Sequence, residues 1–402
     1  MLTKTNSSSN EISVSSFVPV TTKNDLGAGD LNISSYSATS KSSSSTLSTN
    51  SVSTNATLKN PNPIYTSAAI FADFNGDGKN DKMWRNASTG ENAIWLMNGD
   101  KVASAGFVKT MGREWDFKIG DFNSDGKTDI LWRNKATGAN TVWLMNGAAI
   151  ASETSLANLG TDWDASIGDF NGDRKTDVLW RNKSTGENAV WLMNGNKVTS
   201  GSFLQTVNSN WTANVVDFNG DGKTDIFWRN QSTGENAAWL MNGTKATGAS
   251  LTTMGTDWEA TLGDFDFTYK TDILWHNKTT GENKMWLMNG SKIASTKNLT
   301  ATKGKAYIGD FDGNGKSDIL WYDQETGKGQ AWVMDGGNVI FQSAVNAPNA
   351  AWTPSISDTN GDGKTDMFFR NYQTGENSVV IITGTNSTPK ALPTLGKDWY
   401  TF

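Results

Sequence analysis

The 402-residue chain contains no cysteine and a single histidine. Disulfide staples, thiolate zinc sites, iron–sulfur clusters and a cysteine nucleophile are therefore excluded. The lone His276 rules out a multi-histidine metal centre and makes imidazole acid–base catalysis a poor expectation. Basic charge is also short: 35 Lys and Arg against 41 Asp and Glu leave a net charge of −6, which argues against a nucleic-acid binder held by phosphate contacts. No run approaches the roughly 18 apolar residues that span a bilayer, so membrane insertion is not expected.

Apolar residues are scarcest at the start. Residues 1–60 hold 33 Ser, Thr or Asn, seven charged residues and no Trp. Such a segment cannot bury enough surface to offset its ordering entropy, so it reads as a disordered leader, either a linker or export segment or a plain spacer. Its longest apolar patch, Phe17-Val18-Pro19-Val20, falls well short of a signal-peptide core of about 7–15 residues. Pro61-Asn62-Pro63 marks the change of composition, and residues 61–402 form the expected folded domain.

That domain is one unit repeated seven times. The first Asp of a D-F-N-G-D-G-K-T-D motif recurs at Asp73, Asp121, Asp169, Asp217, Asp264, Asp310 and Asp358, in steps of 48, 48, 48, 47, 46 and 48 residues. A fixed period of this size means a propeller, a solenoid or an array. The third copy shows four short apolar runs: Trp163–Gly168, Val178–Trp180, Ala189–Met193 and Val198–Phe203. The Asn194-Gly195 pair between the last two predicts a tight hairpin of type I′. The middle runs are apolar on both alternating faces, as in stacked sheets, and no helical period occurs. Seven units of four strands predict an all-β, seven-bladed propeller.

Tryptophan follows the same period. One set lies eleven residues after the first Asp, at Trp84, Trp132, Trp180, Trp228, Trp275 and Trp321, with Phe369 in the last copy. A second lies at plus twenty-two: Trp95, Trp143, Trp191, Trp239, Trp286 and Trp332, with Val380 in the last. Both sets are expected to pack between blades. A third set, six residues before the first Asp, is Trp115, Trp163, Trp211, Trp258 and Trp352. Trp399 would continue it into an eighth copy, so Trp399-Tyr400-Thr401-Phe402 is expected to return to blade one and close the ring, where the first copy offers only Ser67.

The acidic loop carries the chemistry. Asp73, Asn75, Asp77 and Asp81 stand at loop positions 1, 3, 5 and 9, with Gly at 4 and 6 and the Lys79 carbonyl available at 7. Hard cations take six to eight oxygens at about 2.3–2.6 Å, and alternate side chains of a tight turn can converge to supply them. The set recurs as Asp121, Asn123, Asp125, Lys127 and Asp129; as Asp169, Asn171, Asp173, Lys175 and Asp177; and as Asp217, Asn219, Asp221, Lys223 and Asp225. It returns as Asp310, Asp312, Asn314, Lys316 and Asp318, and as Asp358, Asn360, Asp362, Lys364 and Asp366. Calcium fits better than magnesium, which keeps a water-rich octahedral shell. The fifth loop, 264–272, loses both glycines and the position-5 ligand and is expected to be empty or weak, leaving up to six Ca²⁺ sites. Arg174 replaces the second Gly of the third loop, which should bind less well than the first, fourth and seventh.

The nonapeptide, the strand I-L-W-R-N and the hairpin T-G-E-N-A-V-W-L-M-N-G together resemble the FG-GAP/VCBS-type repeat of bacterial surface and secreted proteins, with integrin-α-like and lectin-like propellers as relatives. The resemblance covers about residues 64–402. It implies Ca²⁺ in the loop between the first two strands of a blade and a place outside the cell or on its surface.

Opposite the acidic loops, Arg85, Arg133, Arg181, Arg229 and Arg370 recur beside the Thr-Gly-Glu-Asn hairpins, with His276 and Tyr322 in the fifth and sixth copies. With the third tryptophan set they could line a repeated ligand surface suited to a glycan or a surface protein. Alternatively, Arg and Glu pair between blades and hold the ring. His276 reads as a drifted Arg position. Three function classes follow: a calcium-binding, non-enzymatic binding or adhesion module, which the near-identity of the copies favours; a lectin with saccharide sites between blades; and a polysaccharide-active enzyme, which would need one asymmetric site.

Overall fold

The computed structural model describes residues 72–346, 350–382 and 389–401; the leader at 1–60, Ser67 and Phe402 lie outside them. The described residues form seven four-stranded antiparallel sheets arranged as the blades of a propeller. Blade three runs Trp163–Gly168, Asp177–Asn182, Asn188–Asn194 and Lys197–Leu204, in chain order across the sheet. Each run read from the sequence is a strand, and the acidic loop joins the first two.

Burial follows position in the blade. The second strand Asp177–Asn182 is buried along its whole length, because neighbouring blades cover both its faces. The fourth strand Lys197–Leu204 is mostly exposed and forms the outer rim. The two expected tryptophan sets fill the space between: Trp84, Trp132, Trp180, Trp228, Trp275 and Trp321 are buried, as are Trp95, Trp143, Trp191, Trp239, Trp286 and Trp332. Within a blade the two rings meet edge on, with Trp180 and Trp191 centroids 5.1 Å apart, an arrangement that suits the ring quadrupoles.

The hairpin turn differs from the expected type. Asn194 pairs with Lys197, so the central turn residues are Gly195 and Asn196, and of the two only Gly195 has a positive φ, at 63°. That is the pattern of a type II′ turn, which wants glycine at its first central position. The Asn-Gly pair marked the hairpin correctly, but the register places Asn one residue too early for type I′.

The ring closes through the end of the chain. Trp399–Thr401 is the first strand of blade one, hydrogen-bonded beside Lys82–Asn86 with Asn86 opposite Trp399. On the loop side, the Asn80 and Asp358 main chains join at 2.7 Å, and the Asp358 N–H donates to Asn80 Oδ1 at 2.7 Å.

Candidate functional site

The acidic loops lie at one end of the propeller. In the first, the carboxylate of Asp73 gathers the turn around itself: Oδ1 accepts the Gly76 N–H at 2.7 Å and Oδ2 accepts the Gly78 N–H at 2.8 Å. Asp81 ties the loop to the sheet. Its Oδ2 accepts from Phe74 N at 2.8 Å and its Oδ1 from Met97 N at 2.9 Å. The same pair of bonds recurs from Asp129, Asp177, Asp225, Asp272, Asp318 and Asp366. Burial pushes the position-9 carboxyls up, Asp81, Asp129, Asp177 and Asp225 to about 7 and Asp272 and Asp318 to about 8. The loop thus places carboxylates where their charge is costly unless a proton or a cation balances it.

Two loops bring three carboxylates together. Oxygens of Asp264, Asp266 and Asp272 lie within 4.8 Å of one another, and so do those of Asp310, Asp312 and Asp318. Two oxygens that share one Ca²⁺ at about 2.4 Å stand no more than about 4.8 Å apart, so both clusters fit a hard cation in size and donor type. Calcium bound there would neutralise the carboxylates at positions 1, 3 and 9, of which Asp272 and Asp318 at position 9 are buried, and brace the turn. The fifth loop, expected to be empty, is one of these two. Phe267 and Tyr269 adopt φ values of 63° and 59°, so the loop keeps its path without glycine. Arg174 at φ 66° does the same in the third loop, where its N–H donates to Asp169 Oδ2 at 2.7 Å.

In the other loops the third position is Asn, and the position-5 carboxylate points outward. Asp77, Asp173 and Asp221 approach Lys79, Lys175 and Lys223 at 3.5, 3.5 and 3.1 Å. Each position-5 carboxylate also accepts the position-7 N–H, as in Lys79 N to Asp77 Oδ1 at 3.0 Å. Asp125 and Asp362 make the same bond to Lys127 and Lys364. Asn75, Asn123, Asn171, Asn219 and Asn360 each accept the position-5 N–H instead.

Sequence reasoning missed the residue at position 8. Thr128 Oγ1 accepts the N–H of Asp73 in the preceding blade at 2.8 Å, while its own N–H donates to the Asp73 carbonyl at 2.7 Å. Thr224, Thr271, Ser317 and Thr365 repeat this link, and Asn80 makes it across the closing seam. The loops form a hydrogen-bonded chain around the ring. The recurring T before the last D of the motif was the available signal.

At the opposite end the arginines follow the second of the two sequence readings, that they hold the ring, but with other partners than Glu. Arg85, Arg133, Arg181, Arg229 and Arg370 are buried rather than presented to a ligand. Arg181 donates to Asn188 Oδ1 at 3.0 Å in its own blade, and to the carbonyls of Val207 at 3.2 Å, Asn208 at 2.8 Å and Trp211 in the next. Its guanidinium also stacks on Trp228 of that blade, 4.9 Å from the ring centroid. The arginines therefore rivet adjacent blades, through carbonyls and Asn rather than through Glu. The hairpin glutamates bond locally, as in Thr89 Oγ1 to Glu91 at 2.8 Å. His276 takes the arginine's place, with Nδ1 2.7 Å from Asn283 Oδ1 and its ring 5.0 Å from that of Trp321.

The third tryptophan set divides. Trp211 and Trp352 are buried, whereas Trp115, Trp163, Trp258 and Trp399 are half-buried. Trp163 lies 6.3 Å from Phe203, Trp399 lies 6.0 Å from the exposed Phe107, and Lys284 sits 4.9 Å over Trp258.

Fold and loops together define a seven-bladed β-propeller with a repeated acidic turn in every blade. Residues 73–132, 121–180, 169–228, 217–275 and 310–369 match the FG-GAP-like repeat, well over half of the chain, and the protein belongs to that family. No match begins at the divergent Asp264 loop. No curated protein matches the chain in sequence. Among solved structures, an Agrocybe aegerita lectin described for specific recognition of non-reducing terminal N-acetylglucosamine is similar in fold, with a TM-score of 0.67 at 17% identity over 85% of this chain and 96% of that one. Apo AztD from Citrobacter koseri gives a TM-score of 0.45 at 9% identity, covering 80% of this chain and 97% of that one. Among the described residues no helix is long and apolar enough to cross a membrane.

Proposed function

We propose that this protein is a non-enzymatic binding or adhesion module that works outside the cell or on its surface, with calcium in its acidic loops. The observation that carries the reading is the repetition of one oxygen-rich turn in every blade, with carboxylates drawn together in two of them. Calcium supplies rigidity rather than reactivity here. The chain's own residues set the loop path, and the position-8 hydroxyls pass that order from blade to blade. His276 is held by Asn283 and Trp321 in an arginine's place, which supports a structural role for it.

A second reading, a lectin in the strict sense, is favoured by the half-buried Trp115, Trp163, Trp258 and Trp399 at the end opposite the loops. Flat aromatic faces beside polar hairpins suit saccharide rings, and repeated weak sites gain by multivalency. The lectin of similar fold supports testing glycans first.

The test uses the full chain. Metal-free protein is titrated with Ca²⁺ by calorimetry and melted with and without EDTA. Stabilisation of a site that binds only the folded chain grows as RT ln(1+[L]/Kd), about 1.4 kcal/mol at ten times Kd. A melt that ignores EDTA, with metal removal verified, rejects the calcium reading. Glycan-array binding weakened at least tenfold by Trp163→Ala and Trp258→Ala supports the lectin reading, whereas unchanged binding rejects it.

A further inference from the structure

The loop of blade five breaks the sevenfold pattern in a particular way. At positions 4 and 6 the other loops carry glycine, apart from Ser124 and Arg174; here stand Phe267 and Tyr269, both with φ in the left-handed region. Bulky L-residues are disfavoured there. Burial does not compensate, since the two side chains remain 46% and 45% exposed. Their rings lie 5.0 Å apart at 45° to each other. Phe267 leans across the seam onto loop six, where a Cβ on Gly315 would run into its ring, so the glycine leaves room for the aromatic. The result is a two-ring platform spanning the two loops that hold converging carboxylates.

The border of the platform limits what it can take. Thr268 Oγ1 donates to Asp266 Oδ1 at 2.7 Å, the half-buried Lys270 follows Tyr269 in the chain, and Lys316, paired with Asp335, follows the Gly315 that Phe267 leans on. Both signs of charge and a hydroxyl thus stand next to the two rings along the chain and across the seam. The mixed charge favours neither an organic cation nor an anion. A saccharide ring matches this arrangement: its C–H face stacks on an aromatic ring while its hydroxyls reach carboxylate, hydroxyl and ammonium groups at the edge.

We propose that Phe267 and Tyr269 form a single saccharide-stacking site on the acidic-loop end, separate from the tryptophan end considered above. Because it occurs in one blade, it gives the ring one distinct position.

The experiment titrates the full chain, in saturating Ca²⁺, with chitotriose, cellotriose and xylotriose by calorimetry and saturation-transfer NMR. The variant Phe267→Gly/Tyr269→Gly restores the residues other loops use, so it should melt at the parent temperature or above while binding the trisaccharide at least tenfold more weakly. Trp163→Ala, at the other end, should retain this binding. Parent-like affinity in the glycine variant overturns the site, and so does a lowered melting temperature, which would show that the rings serve packing. Binding lost in Trp163→Ala but kept in the glycine variant also overturns it, while leaving the lectin reading standing; the reverse pattern does the opposite. No binding of any of the three by the parent overturns it as well.

Discussion

Arg370 of blade seven donates from Nε to the main-chain carbonyl of Trp399 at 2.9 Å, while its Nη2 donates to Gly396 at 2.8 Å. The arginine rivet that joins blades one to two, two to three, three to four and four to five is here the latch on the closing strand. Deleting residues 396–402 removes that strand and exposes the edge of Lys82–Asn86. The melting temperature should fall sharply, with aggregation visible by size-exclusion chromatography. Trp399→Ala alone should cost about 2 kcal/mol, roughly half the value for a fully buried ring, because Trp399 is half-buried. A truncated chain that melts like the parent contradicts the latch.

The rivets themselves should matter far more than the surface ion pairs. Arg181→Met leaves the Val207, Asn208 and Trp211 carbonyls without their donor. Unmade buried hydrogen bonds cost about 1–3 kcal/mol each, so a loss of roughly 3 kcal/mol is expected in urea melts. Lys183→Met removes only an exposed pair with Asp164, at 3.2 Å, and should stay within about 0.5 kcal/mol. Equal effects from the two variants contradict the rivet assignment.

Lys82 is the odd residue of the closing seam. Its counterparts Ile130, Val178, Ile226, Ile273, Ile319 and Met367 are apolar, yet Lys82 is buried over Phe368 at 4.7 Å, with Ser355 Oγ 3.3 Å away. Burial pulls its ammonium down to about 7. The unfolded chain keeps that proton up to about 10.5, so stability should rise with pH between about 7 and 10.5. Lys82→Met should add about 1–2 kcal/mol near neutral pH and flatten that rise. Chemical denaturation across this range checks both.

The acidic loops predict the opposite slope at lower pH when metal is absent. Burial pushes Asp81 from 3.8 to about 7 and Asp318 to about 8. Folded metal-free protein therefore holds protons that the unfolded chain has already released. Its stability should be greatest near pH 4 and decline as pH rises toward 8. Calcium requires the ionised carboxylates, so its stabilisation should grow over the same interval and cancel the decline. Paired melts from pH 4.5 to 8.5, in EDTA and in Ca²⁺, measure the two slopes. A metal-free chain that gains stability across this interval contradicts the burial argument.

The period, the four runs per unit and the two buried tryptophan sets could be read directly, because strand patterning and repeat spacing are local and are copied seven times. The acidic loop was legible for the same reason: its ligand types sit within nine residues. Trp399 as a closing strand followed from counting the period past the last copy. The sequence alone thus determined the architecture and the oxygen-rich turn. Tertiary structure decided which repeated polar residues are free to meet a ligand. Arg181 and its counterparts look like surface charge in a strand-end pattern, but the carbonyls that consume them come from the next blade, 26 to 30 residues further along the chain. The Thr128 hydroxyl likewise finds its partner 55 residues away, in the loop of the preceding blade. Contacts across a blade seam depend on how sheets stack around the axis, and one blade's local sequence does not encode that geometry. The fifth loop shows the same division: losing glycine suggested a broken site, whereas the hydrogen bonds from Thr268 and Tyr269 to the Asp264 carboxylate hold the turn in place.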